Sequence, residues 1–327
     1  MFLAESSARP HRRMPIAYEL IRTSALTVHL LAGALAGAGP LLAAGARLSP
    51  RLRVAADRPL RRLVLASLAA QVLSLLIGAA AAVALGWEPG SAFRVAAMRV
   101  PAGAYAMLAC EWCITLALLG LYYRSWARLS GRPVLHGAIA LFAATNLLYH
   151  FPTMMVVIGA LAEEPTLAAE AEVTRPVFRR LILSPALLGK TLHYWAVSVL
   201  VAGVAAVWAS CSAAEPGAAG GPGDTPSQRP PGGPPLSCTG AAVALAGLCL
   251  TAASGVAAVT LLRPGAQQSL LGGSAIESAA FAGVLAATLW LAHTLLAIAT
   301  GRADAAVHRR AAWLTAGATW LMVFASR

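Results

Sequence analysis

The chain has 327 residues, of which 58% are apolar and only 12% charged, with a formal net charge of +12 and a mean hydropathy of +0.70. Soluble domains carry about twice that charged fraction, so a soluble globular protein is excluded. The basic residues lie between apolar stretches, in the pattern of membrane loops, which argues against nucleic acid as the partner.

Taken in chain order, residues 1–22 ("MFLAESSARPHRRMPIAYELIR") form a basic tail with no apolar core, so no cleaved signal peptide is expected there. Eight stretches then approach the ~20 residues needed to cross a bilayer: 23–46, 62–86, 101–123, 134–161, 185–210, 239–262, 276–299 and the shorter 308–325. The expected fold is an all-α polytopic bundle of about eight spans, since no stretch alternates like barrel strands. Residues 23–162 make a four-helix half with a possible haem site, and 239–327 a three-helix C-terminal part. The fourth span is long enough to tilt or to break at Pro152.

Arg47, Arg51, Arg53, Arg58, Arg61 and Arg62 crowd the first loop, with Arg124, Arg128 and Arg132 in the third and Arg302, Arg309 and Arg310 in the seventh. That is the pattern of loops kept in the cytoplasm, and the short loops favour the N-terminus outside. Segment 163–184 opens with Glu163, Glu164, Glu170 and Glu172 and turns basic at Arg175, Arg179 and Arg180. An interfacial helix broken near Pro176 is expected. In "LSPALLGKTLHYW", Ser184 is a helix N-cap and Pro185 the first helical residue, which puts His193 about two turns inside. Residues 211–238, rich in Pro and Gly, form a disordered linker between the fifth and sixth spans. The five cysteines give no disulfide framework, and Cys110 and Cys113 are expected to pack within a span. No Walker loop, GxGxxG, HExxH or GxSxG stands in a suitable context.

Chemistry is left to the polar residues inside the spans, where an ionisable group costs a few kcal/mol or more. They are His29, Glu111, His150, His193 and His293, with Gln71 and Asn146 as uncharged companions. Hydrogen bonding between helices accounts equally well for any one of them alone. Depth groups them. With successive spans alternating in direction, His29, His150 and His193 fall toward one membrane face, Glu111 lies near mid-depth, and His293 falls in the opposite leaflet. Imidazole is an axial ligand of haem iron, and a carboxylate can ligate iron or carry protons. Gly33, Gly37 and Gly39 beyond His29 can make room for a macrocycle or simply for a neighbouring helix.

Four stretches resemble the large haem-bearing subunit of cytochrome bd-type quinol oxidases, over about residues 23–210. "SALTVHLLAGALAGAGPLL" is similar to that family's first helix, and His29 matches its high-spin haem ligand. "CEWCITLALLGLYYRSWARLS" resembles its third helix, with Gly120, Trp126, Arg128, Leu129 and Ser130 in register. "NLLYHFP" resembles the family's "NxWMQxP" at Asn146 and Pro152, and "LSPALLGKTLHYWAVSVLVAG" resembles the helix that carries the low-spin haem b ligand, at His193. Departures are plain. Glu111 stands nine residues before Gly120 where the family's nearest Glu is about five before, one helical turn away on the same face. The quinol-binding loop and its GRxPW motif are missing, and only Met322 and His293 come late enough to partner His193.

The resemblance implies a haem-b-binding membrane electron-transfer protein, a terminal-oxidase-like oxidoreductase subunit of a bacterial cytoplasmic membrane, acting with a second membrane subunit or redox partner. His29 and His193 are then the leading iron ligands, His150 the third, Asn146 a supporting donor, and Glu111 a proton carrier or ligand. Pro152 would free a carbonyl near the macrocycle. Two other classes stay open. A haem-free transporter would pass protons or cations along Glu111 and the histidines. A cofactor-free scaffold would use Asn146 and His150 for hydrogen bonds to each other and to a neighbouring helix.

Overall fold

The computed structural model describes residues 16–50, 52, 56–87, 91–168, 170–211, 236–262 and 264–325, and among these every regular element is helical. The basic tail up to residue 15 and the linker from 212 to 235 lie outside the described residues; residues 16–22, expected in the tail, already belong to the first helix. Helix α1 spans Ile16–Leu48, α2 Asp57–Trp87, α3 Ala92–Met98 and α4 Ala102–Ser125. Next come α5 (Pro133–Thr145), a π-helical turn (Asn146–His150) and α6 (Phe151–Glu163), which together make one span. After a short 3₁₀ turn (Pro165–Leu167), α7 covers Arg175–Ile182 and α8 Pro185–Cys211. The C-terminal part holds α9 (Leu236–Thr260), α10 (Pro264–Gln268), α11 (Ala275–Ala299) and α12 (Ala305–Ala325).

Seven of these units are long and apolar enough to cross a membrane, which makes the chain an all-α helical membrane bundle. The eighth predicted span does form a helix, α12, but it falls short of the others in apolarity because His308, Arg309 and Arg310 occupy its first turns. It nevertheless packs along α11 and against α1 and α8. Its buried Thr315 and Thr319 hydroxyls donate to the carbonyls of Ala311 and Thr315, each at 2.8 Å, so the buried face carries no idle donor there.

The centre of the bundle is α1 and α8, the two most buried spans. In lipid, helices associate through close packing rather than escape from water, and small residues decide where they touch. A Cβ on Gly203 of α8 would stand 2.5 Å from the Ala244 nitrogen of α9, and one on Gly247 of α9 the same distance from the Leu200 nitrogen of α8. These two backbones are therefore in direct contact.

Segment 163–184 covers one end of the bundle. Pro176 does not break its helix as expected; it sits in the first turn of α7, where a missing N–H removes no helical bond. The guanidinium of Arg99, just beyond α3, donates to the carbonyls of Pro165 (2.9 Å), Ala168 (2.7 Å) and Glu170 (2.6 Å), and its own carbonyl accepts from the Val173 N–H at 2.7 Å. Val177 and Leu181, one turn apart on α7, bury against Val100, Met154 and Leu161. Backbone N–H contact and Arg180, at 3.0 Å, hold the Glu170 carboxyl below the ordinary range.

Candidate functional site

His193, two turns into α8 as expected, has both ring nitrogens engaged. Nδ1 lies 3.1 Å from Ser254 Oγ on α9, and that hydroxyl donates to the Leu250 carbonyl at 2.7 Å. With its hydrogen on Leu250, Ser254 accepts, which selects the tautomer with the proton on Nδ1 and the lone pair on Nε2. Nε2 stands 3.3 Å from Met322 Sδ, near the end of α12. A thioether has no hydrogen to give. In that tautomer two lone-pair atoms face each other at 3.3 Å; in the other neutral form Nε2–H donates to the thioether and the Ser254 hydroxyl turns to Nδ1. In the first form an electron-pair acceptor satisfies both atoms. Admitting a metal requires them to part by about 1 Å, taking bonds to nitrogen and sulfur at roughly 2.0 and 2.3 Å.

His29 is fixed in the same manner by α2. Its Nδ1 is 2.8 Å from the Ser74 carbonyl, which can only accept, so Nδ1 is again the donor and Nε2 keeps its lone pair. The ring lies against α2 because residue 78 is glycine: a Cβ there would fall 2.6 Å from Cε1. Phe151 meets the ring edge-on at 6.5 Å between centroids, and the Tyr194 hydroxyl, next to His193 in sequence, lies 3.1 Å from where a Gly33 Cβ would be. Contacts of Phe151, Tyr194 and Trp195 thus bring His29, the α8 segment around His193 and the π turn into one neighbourhood.

The π turn carries Asn146 and His150. Neither bonds the other; both reach across to α4. Asn146 Nδ2 donates to Thr115 Oγ1 at 3.3 Å, and the Thr115 hydroxyl donates to the Glu111 carbonyl at 2.8 Å. His150 Nδ1 lies 2.8 Å from Glu111 Oε2, an ion-pair distance, but without the alignment of a hydrogen bond. Pro152 cannot donate to the Leu148 carbonyl, and the chain takes an extra residue into the preceding turn, a common accommodation near functional sites. The freed carbonyl is already satisfied: the Trp195 indole N–H donates to it at 2.6 Å from α8.

Gly37 and Gly39, considered as room for a macrocycle, instead seat Leu148 and Ser67. A cavity of about 470 Å³ opens between α1, α2, α8 and α12, lined by Val28, Leu35, Ala70, Val201, Trp208 and Ala312, and it touches none of the candidate ligands. His293 faces outward from α11, and Cys110 and Cys113 are exposed on α4. Among the described residues, no three His, Cys, Asp or Glu side chains gather to hold a bare metal ion. A haem needs fewer protein ligands because its macrocycle supplies most of them. Compared with protein-family models, curated proteins and solved structures, the chain matches none.

Proposed function

We propose that the chain is a haem-b-binding membrane electron-transfer protein with His193 and Met322 as the axial pair. The observation that carries this reading is the 3.3 Å approach of Nε2 to Sδ, with Ser254 placed to accept from Nδ1 and so leave Nε2 unprotonated. Haem b held there supplies a one-electron couple, and a Met/His set is one that raises its potential. Ser254 orients the imidazole and strengthens it as a donor, as hydrogen-bonded partners of ligating histidines do. Met322, brought in by α12, supplies the soft ligand. His29, with Nδ1 committed to Ser74, presents a second imidazole nitrogen of the same kind. His150, expected as a third ligand, is turned to Glu111, and we assign that pair to proton exchange rather than to iron.

The test is a reduced-minus-oxidised visible spectrum of the purified chain, expressed with haem supplied, beside His193→Ala and Met322→Leu. Haem b bands in the wild type are expected, lost in His193→Ala and shifted toward a high-spin form in Met322→Leu. A flat spectrum from folded protein overturns the reading. The Glu111–His150 pair would then favour the haem-free transporter.

A further inference from the structure

The cavity of about 470 Å³ between α1, α2, α8 and α12 takes no part in the haem reading, because none of the candidate ligands lines it. Its walls are almost wholly apolar, and the Thr315 hydroxyl among them donates to the Ala311 carbonyl of its own helix. Water finds few polar partners along such walls. The cavity opens sideways where Val28, Leu73 and Trp208 are 42%, 44% and 45% exposed, so it is a groove in the flank of the bundle. Along α2 it runs from Arg62 to Leu73, a rise of about 16 Å. That is about half of the ~30 Å hydrocarbon core, the depth of one leaflet.

One end of the groove is cationic. Arg62 lines it directly, and Ala66, one turn further, continues the same face of α2. On α12 the lining residues Ala312 and Ala316 follow Arg309 at helical spacing, which carries that guanidinium to the rim on the same face. Leu63 of α2 and Ala206 of α8 pack in one cluster, so α8 stops at the end where α2 begins. Arg309 belongs to that end too, within electrostatic reach of Cys211, the last residue of α8. The two acidic side chains described there are engaged: Asp57 pairs with Arg47, and Asp304 accepts the Val307 N–H. Arg58, Arg61 and Arg310 are exposed nearby and raise the positive field. Trp208 adds an indole of the kind that membrane proteins place at the level of the headgroups.

We propose that this groove binds an anionic glycerophospholipid, with one acyl chain along Ala66 and Leu73 and the headgroup phosphate at Arg62 and Arg309. Length matches the groove to a chain from one leaflet, and charge selects the headgroup. A zwitterionic lipid brings a cation of its own to the arginines, and an anionic one does not. Basic pockets between membrane helices hold anionic headgroups in this way, and the planar fork of arginine takes two phosphate oxygens at once. The lipid reaches from α2 to α12, and the site is independent of haem.

The experiment is tryptophan quenching of the full chain in detergent micelles by phosphatidylglycerol brominated along its acyl chains. Phosphatidylcholine with the same chains is the comparison. The quenching that Trp208→Phe removes reports the groove. This component is expected to saturate, at a mole fraction of phosphatidylglycerol at least about tenfold below that of phosphatidylcholine, and the double variant Arg62→Gln, Arg309→Gln is expected to erase the difference. Ala66→Phe, a change at an exposed position, fills the groove and is expected to abolish saturation by either lipid. Equal half-saturation by the two lipids in the wild-type chain would mean a groove open to any apolar chain, isoprenoid tails included, and would overturn the assignment. So would a preference that survives the double arginine variant, saturation that survives Ala66→Phe, or the absence of any quenching that Trp208→Phe removes. A chain without haem bands leaves this measurement intact, so the two readings fail separately.

Discussion

At Leu148 the backbone carbonyl has no α-helical donor, because residue 152 is proline, and the Trp195 indole replaces it from a different helix. Trp195→Phe keeps the aromatic bulk and orphans that carbonyl. The expected loss is about 1 kcal/mol, in the range of polar contacts within membranes, read as a lower midpoint in a thermal or detergent titration. An unchanged midpoint would mean that another donor takes over. Asn146, His150 and Pro152 stand out in the sequence as polar or helix-breaking residues within an apolar run. Their partners do not. Thr115 and Glu111 lie more than thirty residues away, and their meeting depends on how α4 is rotated against α5, which local periodicity does not encode. Met322 shows the same limit: it is visible as a late methionine, but only the path of α12 brings it 129 residues back to His193.

At the scale of elements, helix existence is legible because each apolar run is long and bounded by Pro, Gly or charge. Helices are harder to read where polar residues share a turn with apolar ones. In α7 the proline begins the helix instead of breaking it, and in α12 the arginines lower the apolarity of a helix held by its neighbours. Contact between α8 and α9 depends on three glycines, Gly203, Gly240 and Gly247. Gly247→Val is expected to cost about 1–3 kcal/mol through overpacking, seen as a lower melting midpoint in detergent; an unaffected midpoint would mean that the helices part freely. Asp304 caps α12, its carboxylate accepting the Val307 N–H at 2.9 Å, and this donor holds its carboxyl below the ordinary range. Its support is therefore present above the usual aspartate range and is lost as pH falls through the lowered value. Asp304→Ala should lower the midpoint at neutral pH and flatten its acid dependence, a pair of melts at two pH values being the check.

For the whole molecule, composition decides the class: so apolar a chain with so few charges can fold only as a helical bundle in lipid. Counting spans leads to the expectation of one depth for His29, His150 and His193, because depth is additive along alternating helices. The division of labour at that level is not countable. Two imidazoles have Nδ1 tied to serines, with the His193 Nε2 meeting the Met322 thioether, while the third faces a carboxylate. In the proposed reading, electron transfer at His193 and Met322 and proton exchange at Glu111 and His150 would occupy separate places in one bundle.

The measurement that bears most directly on this account is a spectroelectrochemical titration of the purified chain beside Met322→His. A haem b couple is expected in both proteins, with a lower midpoint potential in the variant because histidine replaces the thioether. No haem signal in the folded wild type, or an identical potential in the two, would contradict it.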